Sequence, residues 1–307
     1  MKPKSVTAGL LASLVLGMTA CSGGVTTLDP QSSRSGSTDA GTITVGTANF
    51  SENVILGHLY AGVLRAKGLD AAVKANLGSR EVIVPALQQG DIDVLPEYQG
   101  SLLQYLDKNA KQSTADEVQQ ALGPVLPEGL KVLPYAPAEN KDVYVVTKET
   151  ADRYGLKTLD DLKPHAAELV FGGPPEDKTR FVGLVGLKEV YGAEFKEFKA
   201  LDAGGPLTRG ALEGGDIQVA NLFSTDVTIG NKGWVVLADP RTLVPAQHVV
   251  PLINESKASD TVTAALAALN EKLTTEELTK LDAKVDNDKE DPDDVAEAWL
   301  KEQGLTS

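Results

Sequence analysis

The stretch "ALQQGDIDVLPEYQG", Ala86–Gly100, returns 125 positions later as "ALEGGDIQVANLFST", Ala211–Thr225. Both copies read Ala-Leu-x-x-Gly-Asp-Ile-x-Val, and each sets an aromatic, Tyr98 or Phe223, four residues after the valine. The pattern is a helix end, a glycine stop and a short apolar strand, written twice at one offset. A second pair of blocks follows in the same order. "LKVLPYAPAENKDVYVVTKE" and "WVVLADPRTLVPAQHVVPLINE" each run from an apolar strand through a proline-bearing loop to a strand built on paired valines. Two matched blocks predict two similar α/β lobes, with the valine-rich segments near Tyr144 and Val249 as the crossings between them.

Elsewhere the pattern alternates between short β-branched runs and 3.6-period stripes. "TITVG" reads as a strand, and "SENVILGHLYAGVLRAKG" as a helix capped at Ser51 and closed by Gly68. "AAVKANLG", "DIDVLPEY", "VYVVT", "LVFGG", "FKALD" and "DIQVANLF" read as further strands. "SREVIVPALQQG", "SLLQYLDKN", "TADEVQQALGPVL", "LDDLKPHAAE" and "PLTRGALEGG" read as helices between them, and "FVGLVGLKEVYG" as a turn that continues into a helix. This alternation predicts largely parallel sheets. From Ser259 onward three helical segments, "TVTAALAALNEKL", "TTEELTKLDAKV" and "PDDVAEAWLKEQG", carry enough Leu, Val and Ala to pack onto the first lobe. "DNDKEDPDD" has the acids of a calcium loop but Asp291 where the turn needs glycine, so Asp291 is expected to cap a helix begun by Pro292.

The 307-residue chain opens on "MKPK" and a 16-residue apolar run that ends at Cys21, its one cysteine. This is the plan of a signal peptide, and "MTAC" resembles the lipobox of a bacterial lipoprotein. Residues 1–21 are expected to be a lipoprotein signal with lipidation at Cys21. The Ser-, Gly- and Thr-rich residues 22–41 are expected to be a tether spanning about 25 Å on average. With one cysteine, neither a disulfide nor a thiolate metal cluster is available. The formal charge is −14 and no basic run exists, which argues against nucleic-acid binding. The three histidines, His58, His165 and His248, fall in no metal spacing. No nucleophile elbow and no phosphate-cradling loop is present. Glu97 is a lone carboxylate at a strand end, and no catalytic set can be assembled around it. The expectation is a binding protein without cofactor or metal, and not an enzyme.

"VGTANFSENVILGHLYAGVLRAKG", "NLGSREVIVPALQQGDIDVLPEYQGSLL", "RFVGLVGLKEVYG", Ser224–Asp226 and "VAEAWLKEQGL" together resemble the substrate-binding protein of bacterial osmoprotectant ABC importers, which carry glycine betaine, choline, carnitine and related quaternary amines. The resemblance implies a two-lobed periplasmic-binding-protein (venus-flytrap, type II) fold with ligand in the cleft. Lobe 1 would be 42–140 plus 246–307, and lobe 2 would be 141–245. It also implies a small-molecule ligand, permease and ATPase subunits as partners, and a monomer anchored by lipid at the outer face of the cytoplasmic membrane. A quaternary ammonium has no N–H to donate, so aromatic faces must hold it. Tyr98 matches a box tyrosine of the family, and Phe223 stands where the family usually has tyrosine. Gln247 falls where another box tyrosine is frequent, and Tyr144 matches an aromatic in the first crossing. Asn49, Phe50 and Ser51 in the "NFSE" loop, Ser79 and Thr225 are implied at cleft-facing turns. Arg180 is implied as the holder of a ligand carboxylate, with a surface salt bridge as its other reading. The substitution at Gln247 weakens the aromatic box, so a neutral, hydroxyl-rich or aromatic ligand stands as the alternative to a betaine-like osmolyte.

Overall fold

A computed structural model of the chain describes residues 41–306. The expected signal, lipidation at Cys21 and tether therefore lie outside the described residues. The repeated phrase forms what its chemistry dictates. Helix α2 (Arg80–Gln89) ends on Gly90 in the left-handed region, and strand β3 (Val94–Tyr98) follows. Helix α7 (Pro206–Glu213) leads through Gly214 and Gly215 into strand β8 (Val219–Phe223).

Each of these strands is the centre of a five-stranded sheet. In the first, β3 lies between β1 (Ile43–Gly46), which carries β2 (Ala71–Lys74) on its far side, and β10 (Val249–Asn254), which carries β4 (Leu130–Val132). In the second, β8 lies between β6 (Val170–Gly173), next to β7 (Glu197–Ala200), and β5 (Asp142–Val146), next to β9 (Val235–Val236). The two orders, β2-β1-β3-β10-β4 and β7-β6-β8-β5-β9, are the same plan. In both sheets the strand antiparallel to the repeated strand is the one reached just after the chain changes lobes. The sheets are therefore mixed, and the expected largely parallel arrangement holds only for β1, β2 and β3 and for β6, β7 and β8. The valine-rich segments are inserted strands rather than linkers. The crossings lie just before them, where Glu139 and His248 form an isolated antiparallel bridge.

Helix α1 (Ser51–Ala66) is covered by α9 (Asp260–Asn270), α10 (Thr275–Asp286) and α11 (Pro292–Glu302), so the C-terminal segments do pack onto the first lobe. Their core joins Ile55, Leu59, Leu266, Leu278, Trp299 and Leu300. Asp291 caps α11, accepting from the Asp293 amide, with Pro292 as the first helical residue. The opposite face of the first sheet packs α2, α3 (Gln99–Leu106) and α4 (Ala115–Val125) through Ile83, Leu87, Leu102 and Leu122.

Three local expectations need correction. Ser51 is not the cap of α1: Phe50 occupies that position in extended backbone, and Ser51 is the first helical residue. "LDDLKPHAAE" forms two 3₁₀ turns, Leu159–Leu162 and Ala166–Glu168, with Pro164, which has no N–H to donate into a continuing helix, between them. A helix unread in the sequence, α5 (Lys148–Tyr154), is capped by the Thr147 hydroxyl and closed by Gly155. The remaining helices, α6 (Gly186–Tyr191) and α8 (Val227–Asn231), belong to the second lobe.

Candidate functional site

The cleft between the sheets is walled by the ends of the repeated strands. Tyr98 closes β3 and Phe223 closes β8, at equivalent positions of the two lobes. Phe50 stands between them, its ring centroid 5.1 Å from that of Phe223 and 6.0 Å from that of Tyr98. The Phe50 loop is held by Asn53, whose Oδ1 accepts from the Ala48 amide at 2.7 Å while Nδ2 donates to the Pro96 carbonyl at 3.0 Å. A side chain on α1 thus ties the loop to β3 and aims three rings into one space.

A cavity of about 280 Å³ opens beside these rings. Of the residues expected from sequence, Asn49, Phe50, Ser79, Tyr98, Arg180, Phe223 and Gln247 line it. Ser51 and Thr225 do not. They line a second chamber of about 320 Å³ beyond Phe50 and Phe223, which line both. Tyr144 lies in neither. It is 1% exposed in the core of the second lobe, with its hydroxyl donating to the Val182 carbonyl and its ring 6.1 Å from Phe171. Two residues earlier on the same face of β5, Asp142 reaches the cavity instead. Gln247 is buried and engaged: its Oε1 accepts from the Ser101 amide at 2.9 Å and its Nε2 donates to the Ser101 hydroxyl at 2.8 Å. Its amide therefore fastens the second crossing to α3. Gly100 permits that approach, since a Cβ there would meet the Ala246 carbonyl at 2.5 Å.

The charged groups are arranged in pairs. Arg80 donates to both oxygens of Glu97 at 2.8 and 2.7 Å, and Glu97 also accepts from the Tyr98 amide. The carboxylate weighed as a lone acid or base is thus fully occupied. Arg180, from the second lobe, donates to both oxygens of Glu81 on α2 at 3.0 and 2.9 Å. Against burial, which acts to raise it, this pairing holds the Glu81 carboxyl down to about 2. The salt-bridge reading of Arg180 is the one the geometry supports, and the bridge spans the cleft. The Arg180 turn is made possible by Gly183, where a Cβ would lie 2.1 Å from the Asp177 carbonyl oxygen.

Two more contacts span the cleft. Arg209 on α7 reaches Asp286 on α10 at 3.0 Å. Thr225 donates to Oε2 of Glu52 at 2.7 Å. Glu52 is 4% exposed in the first turn of α1, where the helix dipole favours an acid. It also accepts from the Tyr98 hydroxyl and, at 2.8 Å, from Asn140 at the first crossing. Asp282 on α10, itself buried, lines the same second chamber as Glu52. Burial, then the charge of Glu52, pushes the Asp282 carboxyl well above the usual carboxylate range. Glu52 is thus the hub where a ring of the cleft, the hinge and the opposing lobe meet. Of this hub the sequence reading had Tyr98 and Thr225, with Glu52 only as the end of a loop. Asn53, Asn140, Asp142 and Asp282 carried no readable spacing; the acid in the first turn of α1 was the one usable signal.

Polar latches join the two lobes around a three-ring wall, and Glu97 beside it is held in an ion pair with Arg80. Among the described residues no helix is long and apolar enough to cross a membrane. A family model described as the substrate binding domain of ABC-type glycine betaine transport systems matches residues 41–302. The chain is 26% identical over 281 residues to the glycine betaine-binding protein YehZ of Escherichia coli, covering 87% of this chain and 92% of that one. It is also 26% identical over 290 residues to the glycine-betaine-binding protein of Pseudomonas aeruginosa, covering 88% and 90%. A solved structure titled as a glycine betaine/carnitine/choline ABC transporter superposes with a TM-score of 0.65 at 24% identity, covering 86% of this chain and 99% of that one. With its two matched lobes and the cleft between them, this chain belongs to the substrate-binding family of ABC-type glycine betaine transport systems.

Proposed function

We propose that the cleft captures a quaternary-ammonium solute on the faces of Phe50, Tyr98 and Phe223 and delivers it to the permease of an ABC importer driven by an ATPase subunit. The observation that carries this reading is the three-ring cluster built from both lobes. A methylated ammonium cannot donate hydrogen bonds, and each aromatic face offers it roughly 0.5–2 kcal/mol by cation–π attraction. Because Tyr98 and Phe223 belong to opposite lobes, a ligand touching both stabilises the closed form over the open one. Asn49 and Ser79, which line the same cavity, supply polar contacts to the remainder of the ligand. In this reading the lobes run 42–140 with 246–307, and 141–245. The mature protein is a monomer held by lipid on Cys21 at the outer face of the cytoplasmic membrane, with 22–41 as tether. It recognises its ligand and does not transform it, since Glu97 is committed to Arg80.

Calorimetric titration with glycine betaine, choline, carnitine and ectoine tests the reading, with scattering to follow lobe closure. Heat and compaction with quaternary amines are expected. No heat and no thermal shift from any of them would refute it.

A further inference from the structure

Quaternary-ammonium solutes fall into two classes, zwitterions that carry a carboxylate and net cations that do not. We infer that this cleft selects a net cation of the choline type, and that Asp142 is the residue that makes the selection; the inference rests on the quaternary-ammonium reading above.

A zwitterion needs a positive group for its carboxylate. Arg80 and Arg180 line the cavity, and each already closes Nε and Nη2 on both oxygens of a carboxylate, Glu97 and Glu81 respectively. Their charges are balanced where they stand. A ligand carboxylate would have to compete with a built bidentate pair, one of which also holds the lobes together.

Asp142 is the opposite case. It lines the cavity and accepts one bond, from Asn221 Nδ2 at 3.2 Å, and among the described residues no lysine or arginine forms an ion pair with it. Burial raises its carboxyl, outweighing the opposing influence of the Arg180 and Arg80 charges, both of which are closed on other carboxylates. Its position is set by the sheet: in the antiparallel pairing of β5 with β8, Asp142 is the direct partner of Phe223. Directly paired residues project from the same face with Cβ atoms about 5 Å apart. The carboxylate therefore stands beside the ring wall, where an ammonium lying on Phe223 would meet it. Ring face and carboxylate together are complementary to positive charge and repel a second carboxylate on the ligand.

The test is calorimetric titration of the wild-type protein and of Asp142→Asn with choline and with glycine betaine, each variant first shown to be folded by circular dichroism and a cooperative melt. Asparagine keeps the shape and the acceptor for Asn221. The expected result is that wild-type protein binds choline about tenfold or more tighter than glycine betaine, and that Asp142→Asn loses about tenfold in choline affinity with glycine betaine unchanged or improved. Glycine betaine binding as tightly as choline to the wild type, or an equal loss of both ligands in Asp142→Asn, would overturn the inference and leave the quaternary-ammonium reading standing. Binding of neither ligand would remove that reading and the inference with it.

Discussion

Thr225→Val isolates the contact through which the second lobe grips the hub of the first. Valine keeps the β-branched shape and removes only the hydroxyl that donates to Glu52 Oε2 at 2.7 Å. Glu52 keeps its bonds from Tyr98 and Asn140, both of which lie within the first lobe or its crossing. The loss is therefore confined to the closed form, because in an open cleft water can satisfy Oε2. A hydrogen bond to a charged group contributes about 1.5–3 kcal/mol. Apparent affinity scales with the closed fraction, so ligand binding should weaken roughly ten- to hundredfold. Two measurements on the same variant check this: the dissociation constant for choline by calorimetry, and the lobe–lobe distance by energy transfer between dyes on α4 and α6. The expected outcome is weakened binding with a more open ensemble in the absence of ligand. Unchanged affinity within twofold, with an unchanged distance, would refute the claim that Glu52 couples closure to binding.

Other expectations concern the same hub and its neighbours. Tyr98→Ala removes both ring and hydroxyl and should weaken a cationic ligand by up to about thirtyfold, whereas Tyr98→Phe keeps the ring and should cost less. Gln247→Ala should lower stability more than affinity, since its amide bonds Ser101; a larger affinity loss at Gln247 than at Tyr98 would contradict the ring-wall reading. The raised Asp282 carboxyl means that the folded state keeps a proton the unfolded chain releases above about pH 4, so stability falls as pH climbs toward the raised value. Asp282→Asn keeps the side chain's shape and has no proton to lose. Its melting temperature should exceed that of the wild type by a margin that widens from pH 5 to pH 8, and a constant margin would count against a raised Asp282 carboxyl. Gly100→Ala places a Cβ 2.5 Å from the Ala246 carbonyl and should destabilise by about 1–3 kcal/mol in urea unfolding; a neutral effect would mean that the second crossing can shift freely.

The repeat made the architecture legible, because a helix stop and a strand are written in local chemistry: Gly90 and Gly215 take the left-handed backbone, and Val94 and Val219 open buried strands. Sheet direction was not legible in the same way. Whether β5 and β10 run parallel or antiparallel to their neighbours depends on where the chain crosses, which no spacing within either strand records. The ring wall was half legible. Tyr98 and Phe223 were marked by the repeat, and Phe50 by its loop, but Tyr144 was misplaced: on β5 it is Asp142, two residues before it, that reaches the cleft. The polar hub was the least legible part. Glu52, Asn140 and Asp282 are scattered along the chain and meet only in the folded first lobe, and Thr225 joins them from the second.

In the proposed site the three rings recognise positive charge, and not merely a methylated shape. Choline and 3,3-dimethylbutan-1-ol share that shape and differ in the charge of one atom. Calorimetry of both against the wild-type protein is expected to show choline binding at least tenfold tighter, the share that cation–π attraction and a neighbouring carboxylate contribute together. Equal affinity for the two would mean that the rings do not recognise charge.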